Sequence, residues 1–299
     1  MNSFFQLCVI CSTVAHMLSV ANANDEVDLV LEHFPTTFFA IAWIDVDDFD
    51  ASDDVPTPGG VLNFSDQRDT SAHYETNRFI RENIGELNRF GVERVWLSFN
   101  HLIILGGPKT AILPCRDPTG LCLIVTRAFQ DRAHSVDVVE GAVIVRFDNS
   151  PVVAPLDAQV PDPWDGIRPF LAEQKRTTGY IHREIQYVVL AEKERGRWMN
   201  PFFESSPQFA TAAQQFLPHV QYTCFTRTYP KRNYRITMEF DSDKSRVAGQ
   251  AELARMLNRR DFGETGIGIR GTSRRLELRA LTNEGERRIG KAVNAVRAE

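Results

Sequence analysis

The stretch Phe38-Phe39-Ala40-Ile41-Ala42-Trp43-Ile44-Asp45-Val46-Asp47-Asp48-Phe49-Asp50 decides how this chain is read, because a long apolar run ends abruptly in four carboxylates. A run of that length with β-branched and aromatic residues predicts a buried strand from about Thr37 to Asp47, covered by helix on at least one face. A similar run, Ile185-Gln186-Tyr187-Val188-Val189-Leu190-Ala191, opens the second half, and a helix and a strand pair are expected to follow in both halves. The pattern therefore reads as one plan laid down twice.

Working outward, Phe79, Ile80, Ile84 and Leu87 recur at helical spacing, and Gly91 falls where a left-handed helix C-cap belongs. Val92 to Phe99 alternates as a strand. Ala111 to Leu113 and Leu121 to Thr126 are expected to be strands, with a short helix from Ala128 to Ala133. Glu140-Gly141 joins two apolar runs as a hairpin. Pro151, Pro155, Pro161 and Pro163 mark 148–165 as a linker. Beyond it, Pro169 predicts a helix that runs to Tyr180 or Ile181, and Ser206-Pro207 opens another. Val220 to Thr228 and Tyr234 to Phe240 form a hairpin, Ser245 to Asn258 a helix, and Arg274 to Leu281 a strand. Asn283 and Glu286 cap a last helix.

These elements give an α+β chain of two tandem ferredoxin-like (βαββαβ) units, each an antiparallel sheet with helices on one face. The expected division is a leader at 1–23, a first domain at 24–147, the linker at 148–165 and a second domain at 166–299.

Composition supports folded cores: 43% of the 299 residues are hydrophobic and 24% charged. The net charge of −5 is unevenly spread, with no Lys or Arg before Arg68 and an Arg-rich C-terminal third. Phe4 to Val20 is apolar and uncharged and leads into Ala21-Asn22-Ala23, the small-x-small pattern of a cleaved export signal. The expected location is the periplasm or the cell exterior, with an uncleaved N-terminal anchor as the alternative and no membrane span after cleavage. Outside the leader, Cys115 and Cys122 flank a turn sequence, Arg116-Asp117-Pro118-Thr119-Gly120, and are expected to form a local disulfide in an oxidising compartment. Cys224 is expected to be a buried free thiol.

The phrases AIAWIDVDDFD, GVERVWLSFN and TAILPC, in this layout, resemble the uncharacterised exported proteins of planctomycete-type bacteria. The resemblance implies an exported α+β protein and brings no known activity or site.

Candidate chemistry is sparse. Asp45, Asp47, Asp48 and Asp50 sit where a rigid strand end could hold a divalent cation, which would make a metal-assisted hydrolase the rival reading. Phosphohydrolase and calcium-loop signatures both fail, since Asp48 and Phe49 stand where the first needs Gly and Thr and Phe49 occupies a calcium-ligand position. Gly266-Ile267-Gly268-Ile269-Arg270-Gly271 satisfies G-x-G-x-x-G, but a helix precedes it and a strand follows, the reverse of a dinucleotide site; a helix-to-strand loop is expected and no cofactor. Arg227, Lys231, Arg232 and Arg235, with Tyr229 and Tyr234, make a basic aromatic hairpin that could take a polyanion. The histidines are scattered, no catalytic residue is assigned, and no nucleic acid is expected as partner. The reading is an exported, non-catalytic binding or structural module of unknown ligand, with a protein or polyanion outside the cytoplasm as the candidate partners and polyanion binding through the hairpin 227–235 as an alternative function.

Overall fold

The computed structural model describes residues 25–34, 40–48, 72–99, 109–131, 133–147, 166–174, 177–182, 219–228, 233–257, 266–282 and 285. Strand β1 (Ala40–Asp45) lies near the middle of the sheet, and its sequence lacks alternation because both of its faces are covered. Ala42 and Ile44 point to one apolar layer and Ile41 and Trp43 to the other, all fully buried. A short 3-10 turn, Val46–Asp48, ends the strand.

Among the described residues, ten strands make one sheet. They are β1, β2 (Arg94–Phe99), β3 (Thr110–Pro114), β4 (Ser135–Val139), β5 (Ala142–Arg146), β6 (Thr177–His182), β7 (Val220–Thr228), β8 (Asn233–Phe240), β9 (Ile267–Thr272) and β10 (Arg275–Ala280). The order is β4-β5-β3-β2-β1-β6-β7-β8-β10-β9, and every neighbouring pair is antiparallel. The halves meet at β1 and β6, where Ile41 pairs with Ile181 and Trp43 with Gly179.

Read inward from its two edges, the sheet gives β4-β5-β3-β2-β1 and β9-β10-β8-β7-β6, the same order with every number raised by five. In each half the first three described strands lie side by side in chain order, a helix follows, and of the last two strands the final one inserts between the third and the fourth. The ferredoxin order differs: there the first two strands of a unit are separated by the third, whereas β1 pairs directly with β2 and β6 with β7.

Helices lie on both faces. A helix α1 over residues 25–33 and α5 (Arg168–Ala172) cover the face of Trp43, Trp96, Ile144 and Cys224. Helices α2 (Ala72–Glu82), α3 (Ile84–Arg89), α4 (Pro118–Phe129) and α6 (Asp243–Leu257) are on the other side. There Phe79, Leu87, Leu121, Val125, Phe129 and Leu253 share a core with alternate residues of the strands. Helices on one face only, as a ferredoxin-like unit requires, would have left Trp43 and Trp96 against solvent.

Four local readings change, among them the short helix expected at Ala128 to Ala133, since α4 ends at Phe129 and residues 130–131 are a turn. Leu121 to Thr126 is helix, begun by Asp117, whose side chain accepts the Gly120 N–H at 3.0 Å, and by Pro118 in the first turn. The helix started at Pro169 stops at Ala172, and Thr177–His182 is a strand, held by β1 and β7. Ile267–Thr272 is strand β9 where a loop is expected from its glycines. Gly91 does take the left-handed conformation of a helix end, at φ 75°, and Gly141 makes the β4–β5 turn at φ 78°. The runs at 183–218, the linker at 148–165, the leader and all of the last helix but Gly285 lie outside the described residues.

Candidate functional site

The face shared with α1 and α5 carries the polar groups of interest, and they form two clusters. The first sits where the two halves join. Arg94 Nη2 donates to Glu26 Oε2 at 2.7 Å, and its Nη1 donates to the Gln174 carbonyl at 2.7 Å. Trp96 Nε1 donates to Glu26 Oε1 at 2.8 Å, and Trp43 Nε1 to Thr177 Oγ1 at 3.1 Å. The Arg94 guanidinium stands 5.0 Å from the Trp96 ring centroid, and the two indoles are 5.9 Å apart. Side-chain exposures of 7% for Arg94 and 17% for Glu26 mean that each charge depends on the other for solvation. This cluster fastens α1 and the end of α5 to the sheet, and every charge in it is used by that task.

The second cluster covers β8, β10 and β9. Strand alternation turns Ile236, Met238, Leu276 and Leu278 toward α6 and leaves Arg235, Glu239, Arg275, Glu277, Arg279 and Arg270 on the opposite face. Arg275 is its hub: Nη1 donates to Glu173 Oε2 at 2.9 Å, Nε to Glu239 Oε2 at 3.3 Å, and the guanidinium lies 5.0 Å from the Phe170 ring centroid. Arg279 Nε donates to Glu277 Oε2 at 2.8 Å, and Arg235 Nη1 stands 3.7 Å from Glu277 Oε1. Four guanidiniums therefore face two carboxylates from the same strands, an excess of two positive charges. Arg270 is exposed and makes no ion pair among the described residues.

Beneath this array the Tyr222 phenol is buried. Its pKa is held well above the usual tyrosine range, first by burial and then by the Glu239 carboxylate, while Arg275 pulls the other way. The Cys224 thiol, fully buried, is likewise pushed well above its ordinary value by burial.

The sequence-predicted positions separate. Asp45 is buried and its Oδ1 accepts the Asp47 N–H at 3.1 Å, so it fastens the turn after β1, while Asp47 is exposed. The side chains of Asp48 and Asp50 lie outside the described residues, and among the described residues no three metal-ligating side chains converge. Cys115 and Cys122 are both free thiols: Cys122 is on α4, its sulfur 3.6 Å from Thr126 Oγ1, so the turn between them leads into a helix and not into a facing strand. Of the basic hairpin, Arg235 belongs to the second cluster; the side chains of Arg227, Lys231 and Arg232 lie outside the described residues.

Sequence reasoning missed Arg270, Arg275 and Arg279. The signal was present in Arg275-Leu276-Glu277-Leu278-Arg279-Ala280, where the charged half of the alternation is as regular as the apolar half.

No family model matches the sequence, and no curated protein does. Among solved structures, crystal form I of TP0453 aligns over 89% of this chain and 99% of its own at 10% identity with a TM-score of 0.41. Crystal form III of TP0453 aligns over 85% and 94% at 9% identity with a TM-score of 0.35. Likeness at that level carries neither fold nor function to this chain.

Proposed function

We propose that this chain is an exported, non-catalytic binding module built from two copies of a five-strand unit, and that its β8-β10-β9 face binds a linear polyanion. The observation that carries the reading is the array of four arginines and two glutamates on one sheet face, with α6 packed on the other. Side chains on a sheet repeat at about 4.8 Å across strands and near 7 Å along them, a spacing on which successive anionic groups of an extended polymer can each find a guanidinium. Arg270, Arg279 and Arg235 are the accessible members, while Arg275 is held by Glu173 and Glu239 and fixes the lattice. Export rests on the apolar leader and its Ala21-Asn22-Ala23 site, and duplication on the equal strand order of the halves.

Heparin resin tests the reading. Protein lacking residues 1–23 should be retained and released by salt, and Arg270→Ala combined with Arg279→Ala should elute at clearly lower salt. Elution of that double variant at the wild-type position would discard the face as a polyanion site.

A further inference from the structure

Among the described residues, the two edges of the sheet are complementary to each other and not to themselves. Neighbouring strands alternate in direction throughout, so β4 and β9, first and last in the order, run oppositely. A second copy displaced along the sheet, and turned by the sheet's own twist, therefore brings its β4 antiparallel to β9 of the first with both faces continuous. The β4 edge is acidic at Asp137, while the β9 edge is basic at Arg270, and both side chains are on the face of α1 and α5. Asp137 is about half exposed at 48%; the bonds it receives from Ser135 and Arg146 both fall on Oδ2, and Oδ1 accepts none among the described residues. Val138 is a large apolar residue left 47% exposed on that edge.

We propose that copies of this chain associate head to tail, with the β4 edge of one pairing with the β9 edge of the next. One register satisfies every position. With Asp137 opposite Arg270, Val138 meets Ile269 on the α6 side, Val136 meets Gly271, Ser135 meets Thr272 and Val139 meets Gly268, each pair on a common face. Charges on sheet edges ordinarily block pairing with another copy. Here they block like with like, since Asp137 would face Asp137 or Arg270 would face Arg270, and permit only the unlike pair. The contact is heterologous, so it propagates into an open chain instead of closing as a dimer. Its area is that of two short strands, below the standard interface of about 1,600 Å², so association is weak and grows with concentration.

Sedimentation velocity on protein lacking residues 1–23, without polyanion, tests this independently of the binding reading. The wild type should show a sedimentation coefficient that climbs with concentration and reaches no plateau. Asp137→Arg and Arg270→Asp should each remain monomeric, because each has lost one edge. Mixed in equal amounts, they should regain the climb with concentration, since unlike charges again face each other both where the unaltered edges meet and where the two altered edges meet. Val138→Lys replaces Asp137→Arg if loss of the Arg146 partner impairs folding. A monomeric wild type at every concentration, or either single variant associating as the wild type does, would overturn the proposal.

Discussion

Replacing Glu26 by Ala tests how α1 is held to the sheet. The substitution removes the acceptor for both Arg94 Nη2 and Trp96 Nε1 and leaves a guanidinium, 7% exposed, with the Gln174 carbonyl as its remaining hydrogen-bond acceptor among the described residues. Breaking a buried pair from one side costs about 3–5 kcal/mol, because the surviving charge stays desolvated. The Trp96 indole adds an unmet buried donor worth about 1–3 kcal/mol, partly counted already since both bonds end on one carboxylate. The expected loss is therefore about 4 kcal/mol by urea denaturation. Glu86→Ala is the control: its pair with Arg89 spans 3.2 Å between side chains 45% and 72% exposed, and should cost at most about 0.5 kcal/mol. Glu26→Gln, which keeps an acceptor oxygen and loses the charge, should fall between the two. A Glu26→Ala loss no larger than that of Glu86→Ala would refute the reasoning and detach α1 from the sheet.

Further outcomes follow from other sites. Gly141→Ala places a Cβ on a backbone at φ 78°, with Leu29 Cδ2 3.4 Å away and no clash, so the cost should be the left-handed strain alone, about 1–2 kcal/mol by the same denaturation. Asp241 accepts hydrogen bonds from Ser245 and then His219, which lower its carboxyl to about 2; its depressed value stabilises the fold above the ordinary Asp range, and that contribution is lost as pH falls toward 2. An NMR titration should place the Asp241 midpoint near 2, and Ser245→Ala should move it upward. Burial, followed by the Asp117 carboxylate, pushes the Cys115 thiol up to about 11, so iodoacetamide labelling of Cys115 should keep rising well beyond pH 9. In the same experiment Cys224 should react only after unfolding, being fully buried. A saturation of Cys115 labelling at pH 9, or rapid native labelling of Cys224, would contradict these environments.

The sequence made β1, β2, the β4–β5 hairpin, the β7–β8 hairpin and α6 legible because their signals are local: alternation, helical spacing and turn glycines. Leu121-Cys122-Leu123-Ile124-Val125-Thr126 misleads because a β-branched apolar run has no intrinsic period, and the Asp117-Pro118 helix start beside it carries the decision. Thr177–His182 is a strand through its partners β1 and β7, which are distant in sequence, so nothing local could reveal it beyond paired threonines. The same long-range pairing fuses into one sheet what reads along the chain as two ferredoxin-like domains. For the candidate site, Arg235 is legible in the basic hairpin; Arg270 is hidden by glycines that suggest a loop, and the alternation of Arg275 to Arg279 marks a strand without showing which strands lie beside it. The carboxylates after β1 form a dense cluster in the sequence, yet Asp45 is spent on the backbone turn that ends the strand.

Backbone NOEs across the seam of β1 and β6 test the central claim most directly. One continuous antiparallel sheet predicts contacts between Ile41 and Ile181 and between Trp43 and Gly179, as strong as those within β1–β2 and β6–β7. Intact contacts within each half and none across the seam would mean two separate sheets, and would contradict it.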